Sequence, residues 1–461
     1  MAGEKILHIG CFADPAPVGS NRLLAAQVLA LQQAGVVGEI MTLAGDGHWR
    51  GPVPNGQASR LRDIPYLSVS RGDCNYHVFD LPAVWKDRVM TAAEWEAAVD
   101  WGKEVLSQIG PSLVHQHYWQ STRFMLDAAQ RLGIPTVCSV YDYGAACLRT
   151  LLVTGEGRLC DAVVGEDKCS KCIVAGYGAL GKANEAVLRW GPARALVSRY
   201  GFGADLKGPL ARRGAARVPV RERVSLTIER SRKELGRLNA LIVTSPFSRE
   251  FYGQFGIPPE RIHVLPWFYT GAPADPRLPG FEGGLRLAFV GRLAAEKGLD
   301  VLLAALARVE ARGAVSLSIA GAIDSPYAKE LQSRYPDHAG QNRVTWAGWI
   351  GNDQVSGFYQ QSHVAVIPSL WYDNTPAALV EALASGRPAI CTDVPSMTHL
   401  VKHEINGLTF PMGDVGALSA AISRLADSPE LVTRFARHTR NVPSVDEYAA
   451  SVHQIYKVAL L

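Results

Sequence analysis

The stretch from Leu285 to Val309, LRLAFVGRLAAEKGLDVLLAALARV, restricts the fold more than any other part of the chain. It reads as a buried strand, a turn carrying Arg292 and Lys297, and a long amphipathic helix. The N-terminal half repeats the alternation. KILHIG is a buried strand, and a loop with Gly19 and Ser20 leads into an amphipathic helix. SLVHQHYWQS is a strand ending in His115 and His117, a helix runs through Leu132, and TVCSVYDYG is the next strand. Strand and helix alternating in both halves predict an α/β fold of two doubly wound domains. A chain of 461 residues exceeds the usual single-domain size, and 48% hydrophobic residues can fill two cores.

Two cations at the carboxyl end of a strand, just before a helix, stand where an α/β sheet binds phosphates. For an isolated Arg and Lys the alternative is a solvated basic loop. Downstream lies SLWYDNTPAALVEALASG, from Ser369 to Gly386. Thr375 suits an N-cap, Pro376 the first helical position and Gly386 the stop. The start of such a helix points free N–H groups and a partial positive charge at the preceding loop. Asp373 lies in that loop and Glu381 about a turn and a half into the helix. Two acids so placed can grip two parts of one extended ligand; the alternative is a capped core helix with a solvated Glu. Cations and acids together outline a site for a diphosphate flanked by polyols.

From about Asn239 to Leu425 the chain resembles the C-terminal half of the retaining nucleotide-sugar glycosyltransferases of the GT-B architecture, family four, glycosyl transferases group 1. The stretches that carry the resemblance include VTSPFSREFYGQFGIPPERIHVLP, FVGRLAAEKGLDVLLAAL, LSIAGAI, RVTWAGWI, HVAVIPSLWYDNTPAALVEALASGRPAICTD and NGLTF, in the family's order and spacing. The resemblance implies two Rossmann-like domains facing across a cleft. It also implies that Arg292 and Lys297, beside Gly291, bind the donor diphosphate and neutralise the leaving group. Glu381 would hold the ribose hydroxyls. The loop Asp373, Asn374, Thr375 and Pro376 would contact sugar and phosphate, with Trp349 or Ile350 near the nucleobase. The family usually has Glu where this chain has Asp373, although a related subset reads acid, Asn, any residue, Pro. Gly19 and Ser20 would form the turn facing the diphosphate, where the family often has two glycines. Relatives commonly carry His followed by Asp or Asn where this chain has Tyr141 and Asp142. Tyr141 is then a candidate donor to the sugar, and Asp142 a candidate contact to the acceptor hydroxyl. For His115 and His117 the structural reading is favoured.

Cys147, Cys160, Cys169 and Cys172 cluster in one loop-rich stretch ending in Cys-x-x-Cys. That resembles a structural zinc site, with an iron–sulfur cluster chemically open and unligated thiols the remaining alternative. Catalysis in the resembling family needs no bound metal. From Gly181 to Ala240 the chain holds 14 Lys or Arg against 5 Asp or Glu. This bias points to an anionic partner, such as a membrane surface, a lipid pyrophosphate or a phosphorylated glycan, against a solvated helix pair. No nucleic-acid module is recognised.

The expected domains are residues 1–270, with a Cys-containing and basic insertion at about 144–238; residues 271–440, which bind the donor; and a terminal helix, 441–461, that returns to the first domain. TGAPADPRLPGFEGG reads as the linker. No apolar run of about 20 residues and no signal segment is found, so a cytoplasmic protein is expected, peripheral to the inner membrane face if the basic segment binds there. The expected activity is retaining transfer of a sugar from a nucleoside diphosphate to an acceptor hydroxyl, in polysaccharide, lipid-linked glycan or glycoconjugate synthesis. The rivals are a nucleotide-sugar epimerase, a catalytically silent nucleotide-sugar-binding protein, and a sugar-phosphate synthase with a soluble acceptor.

Overall fold

The computed structural model describes residues 5–10, 20–43, 57–61, 64–71, 74–79, 81, 90, 92–117, 122–176, 219–270, 277–336, 338–339, 342–439 and 442–461. The chain forms two compact units. One comprises Met1–Val243, Ser248–Val264 and Ala449–Leu461, and the other Thr244–Phe247 and Leu265–Tyr448. Of the Pro- and Gly-rich linker, 271–276 lie outside the described residues.

The first unit is built on β1 (Lys5–Ile9), β2 (Val37–Leu43), β3 (Gln57–Leu61), β4 (Ile64–Arg71), β5 (Cys74–Phe79), β6 (Leu113–His117), β7 (Thr136–Val140), β8 (Ala240–Val243) and β9 (Ile262–Val264). Their order in the sheet is β3-β4-β5-β2-β1-β6-β7-β8-β9. β3, β4 and β5 pair antiparallel at one edge, and the remaining pairs are parallel. Every residue of β6 and β7 is buried, because parallel strands are covered on both faces. The helices Ala92–Ile109 and Phe124–Arg131 supply one cover, with Trp101 fully buried edge-on to Phe79 at 5.0 Å. Helix Val445–Ala459 brings Tyr456 into this unit, where its hydroxyl meets His115 Nδ1 at 2.5 Å.

The second unit holds β10 (Leu285–Val290), β11 (Val315–Ala320), β12 (His338–Ala339), β13 (Asn342–Gly348), β14 (Val364–Ile367), β15 (Ala389–Thr392) and β16 (Gly407–Phe410). The order is β12-β13-β11-β10-β14-β15-β16, parallel except for the short β12. Leu287, Phe289, Leu302, Leu306, Leu317 and Ile422 are among its core side chains. The predicted long helix after Lys297 is a correction: a single 3₁₀ turn, Ala295–Lys297, precedes a helix of only eight residues, Leu299–Leu306. Six of those eight side chains are buried, so core packing rather than one amphipathic face holds the helix.

Each sheet reverses its winding once. In the second unit the chain proceeds outward from β10 through β11 to β13, then returns to place β14 on the other side of β10. In the first unit the same reversal puts β6 beside β1. Open α/β sheets bind ligands at the carboxyl ends of the strands at this switch point.

Candidate active site

In the second unit the segment after β10 and the segment after β14 meet at that switch point. Gly291 leaves β10 with φ 151°, and its N–H still donates to the Ala320 carbonyl at 3.0 Å. The Arg292 side chain is 69% exposed and pairs with Glu296 at 2.8 Å. Lys297 turns inward: its Nζ lies 2.5 Å from Asp373 Oδ2 and 5.5 Å from the centre of the Trp371 ring. Gly298 makes this approach sterically feasible. Its φ is +69°, and a Cβ there would stand 2.0 Å from the Pro368 carbonyl oxygen. The Leu370 N–H, donating to the Glu296 carbonyl at 2.8 Å, ties the two segments.

Asp373 is nearly buried, and the same oxygen that faces Lys297 accepts from Ser369 Oγ at 2.8 Å. The Asn374 side-chain carbonyl accepts from Ser245 Oγ at 3.1 Å. Thr375 has φ +51° and donates from Oγ1 to the Thr244 carbonyl at 2.8 Å. A β-branched residue in the left-handed region costs about 1–3 kcal/mol, and such strain collects at binding sites. This corrects the predicted cap. Thr375 spends its hydroxyl on Thr244, and a residue before proline avoids the helical region, so Pro376 becomes the N-cap and Ala377 opens helix Ala377–Ala384. Gly386, at φ +73°, ends the helix as predicted.

Glu381 sits half-buried on this helix. Burial raises the Tyr359 phenol well above its ordinary range, and the Glu381 charge adds to the shift. Trp349 and Ile350 follow β13 beyond Gly348, and Trp349 is 65% exposed, an indole face available for stacking. Arg292, Lys297, Asp373 and the anchored 374–376 turn are therefore assembled by two neighbouring strand ends, with Glu381 on the helix that follows. The sequence reading missed Ser369, Glu296 and Trp371 around Lys297; no pattern in the chain signals these contacts.

In the first unit the switch point is lined by histidines. His8 on β1 pairs in register with His115 on β6, and His8 Nδ1 lies 3.1 Å from His117 Nε2. His117 Nδ1 in turn meets the Tyr141 hydroxyl at 3.0 Å, and His115 Nε2 meets Ser139 Oγ at 2.8 Å. Burial lowers all three imidazole pKa values, that of His8 to about 3, so the rings are neutral and serve to hold Tyr141 rather than to carry charge. Among the described residues, these are the only three or more His, Cys, Asp or Glu ligand atoms within 4.8 Å of one another. His8 was missed from the sequence because it lies inside an otherwise unremarkable apolar strand. Asp142 accepts the Gly144 N–H at 2.7 Å and, through its carbonyl, the Tyr252 hydroxyl at 2.7 Å. Gly19 lies outside the described residues, and Ser20 is the first residue of helix Ser20–Gln33.

Cys147, Cys160, Cys169 and Cys172 line one cavity of about 330 Å³. Of the basic segment, 181–218 lie outside the described residues. Helix Val220–Leu235 commits several of its cations internally: Arg221 pairs with Glu166 and Asp167, and Arg230 lies over the Trp95 ring. Arg123 and Glu234 form a buried pair at 2.9 Å. Among the described residues no helix is long and apolar enough to cross a membrane.

Comparison with known proteins gives a consistent family. The model for glycosyl transferases group 1 matches residues 275–442, and that for the glycosyl transferase 4-like domain matches residues 18–169, together well over half of the chain. The chain is 26% identical over 215 residues to alpha-D-kanosaminyltransferase of Streptomyces kanamyceticus, covering 44% of this chain and 55% of that protein. It spans about half the length of the curated relatives it matches. Among solved structures, sucrose-phosphate synthase from Thermosynechococcus elongatus aligns with a TM-score of 0.62 at 18% identity, over 98% of each chain. Anabaena HepE in complex with UDP-glucose aligns at 0.58 and 14% identity, covering 98% of this chain and 99% of that one. The shared fold is the GT-B architecture of two Rossmann-like domains.

Proposed function

Because the chain belongs to the glycosyl transferases of group 1, we propose that it moves a hexosyl unit from a nucleoside diphosphate sugar to an acceptor hydroxyl with retention of anomeric configuration. The observation that carries this reading is the Lys297–Asp373 pair at the switch point, with Arg292 on the same turn. A diphosphate entering there meets two cations and the positive end of helix Ala377–Ala384. Lys297 exchanges its carboxylate partner for phosphate oxygen as negative charge grows on the leaving group. The bond from the anomeric carbon to the diphosphate breaks, the acceptor oxygen bonds on the same face, and its proton passes to the departing phosphate oxygen.

In this reading Glu381 holds the ribose hydroxyls, Trp349 or Ile350 flanks the base, Gly291 lets the diphosphate approach backbone, and Asp373 to Pro376 contact sugar and phosphate. Tyr141 and Asp142 serve the sugar and acceptor, and Gly19 and Ser20 the diphosphate. No metal takes part in the transfer itself. UDP-glucose, which the HepE structure holds, is the first donor to test. The acceptor belongs to polysaccharide, lipid-linked glycan or glycoconjugate synthesis, at a cytoplasmic membrane face if residues 181–240 bind anionic lipid. Neither an epimerase nor a silent binding protein finds support among these relatives.

A thermal-shift screen with UDP, ADP, GDP and their sugars tests the donor, because a ligand bound only by the folded state raises Tm. The expected result is a rise with one nucleoside diphosphate, lost in Lys297→Ala. No shift with any of them rejects the assigned site.

A further inference from the structure

We propose that Cys147, Cys160, Cys169 and Cys172 hold a [4Fe–4S] cluster that staples the lobe between β7 and β8, a centre outside the transfer site. Three observations converge on it. All four cysteines line one cavity of about 330 Å³, and they arrive from different pieces of chain: Cys147 and Cys160 from the loop after β7, Cys169 and Cys172 from successive turns of helix Glu166–Ala175. Cys169 stands within electrostatic reach of each of the other three.

Among the described residues, the lobe's hydrophobic cluster has four buried side chains, Ile173, Val220, Val224 and Ile228, with Leu148, Val164, Cys169 and Val174 partly buried against them, a small core for a bound centre to reinforce. Yet its backbone is constrained. Thr150, Leu152 and Ala162 all have positive φ without being glycine, and a Cβ on Gly155 would stand 2.2 Å from the Cys172 carbonyl oxygen. A bound centre joining Cys147 and Cys160 to the helix offsets that strain, as metal-stapled domains do.

The spacing argues against a single zinc. Four thiolates on one zinc at Zn–S about 2.3 Å would lie about 3.8 Å apart. No three of these sulfurs lie within 4.8 Å of one another. An iron–sulfur cube carries each thiolate on a separate iron, which sets the sulfurs farther apart and fills the space between them. The cluster with its four thiolates is an anion, and Arg149, Lys168 and Lys171 line the cavity, with Glu156 on its wall and Asp161, paired to Lys168, beside Cys160. The step is a ligand exchange with no change of oxidation state: a preformed cluster leaves a carrier's four thiolates, four Fe–S bonds break there as four form here, and the four thiol protons pass to the released carrier thiolates. Burial raises the Cys147 thiol, while the amides of Arg149, Leu152 and Thr150 favour its thiolate.

The full chain should be purified without oxygen from cells supplied with iron and cysteine, and assayed for iron, acid-labile sulfide and zinc. About four irons and four sulfides per chain, with visible absorption that bleaches on dithionite reduction, are expected. Cys169→Ser and Cys172→Ser should lose most of that iron, while Cys391→Ser, in β15 of the other unit, keeps it. One equivalent of zinc without sulfide overturns the cluster, as does wild-type protein holding neither metal. The wild-type measurement stands even where a cysteine variant fails to fold.

Discussion

Lys297 and Asp373 are 76 residues apart in sequence, yet the ammonium stands 2.5 Å from the carboxylate, because β10 and β14 lie side by side and each ends just before one partner. The pair keeps an inward-facing cation compensated. Asp373→Asn keeps a group able to bond Ser369 but removes the competitor for Lys297. Nucleoside diphosphate affinity is expected to rise about fivefold, near 1 kcal/mol, with a stability loss of about 1–2 kcal/mol. Calorimetric titration of the variant checks this, and an unchanged Kd would count against the exchange of partners.

Arg292 contributes little to the fold. Its side chain is mostly exposed and its one ion pair joins neighbours on a turn. Arg292→Ala should therefore shift stability by less than about 0.5 kcal/mol while lowering kcat/KM on the preferred donor about 10- to 100-fold. Melting curves alongside initial rates separate the two effects.

Gly298→Ala should damage the site through the backbone. The added Cβ meets the Pro368 carbonyl and the φ of +69° disfavours any side chain, so a loss of about 2–3 kcal/mol is expected. Lys297 rides on the same turn, so diphosphate-induced stabilisation should fall with it. A variant that melts normally and binds diphosphate normally would show that the close approach is dispensable.

The histidine row predicts acid sensitivity, and the sign follows from burial. His8 has its folded-state pKa lowered to about 3, below the unfolded 6.5, so the unfolded chain binds the proton first as pH falls. Its contribution is complete above pH 6.5 and is lost progressively below it, by about 2 kcal/mol at pH 5. His115 and His117 act in the same direction. Unfolding midpoints measured from pH 7.5 to pH 4.5 should fall steadily, and His8→Asn should flatten the slope.

Transfer itself should survive chelation of divalent cations. If Arg292, Lys297 and the helix start meet the diphosphate charge, excess EDTA should change the initial rate by less than about twofold. Loss of transfer that magnesium restores would assign that charge to a metal.

The local signals were strong where one residue decides the outcome. Gly386 ends its helix because the left-handed position after a helix favours glycine, and that can be read from Ser369–Gly386 alone. The start of the same helix was misplaced by one residue, because the Thr375 backbone is held by a hydroxyl bond to Thr244, 131 positions away. The helix after Lys297 is shorter than its periodicity, which persists past Leu306: Arg308 and Val309 donate three residues back, to Ala305 and Leu306, so the α-helical pattern ends in a tighter turn. That the four cysteines line one cavity is visible only in three dimensions.

Periodicity and turn chemistry act over a few residues, so the alternation of strand and helix and the placing of charged groups just after strands are legible in the chain. Which strand ends become neighbours depends on contacts across the whole sheet. Winding order placed β14 beside β10 and β6 beside β1, so it chose the partner of Lys297 and buried His8 against His117. A carboxylate about 250 Å along an extended chain and one 2.5 Å away carry the same letter; the topology of the sheet sets the distance, and the distance sets the chemistry.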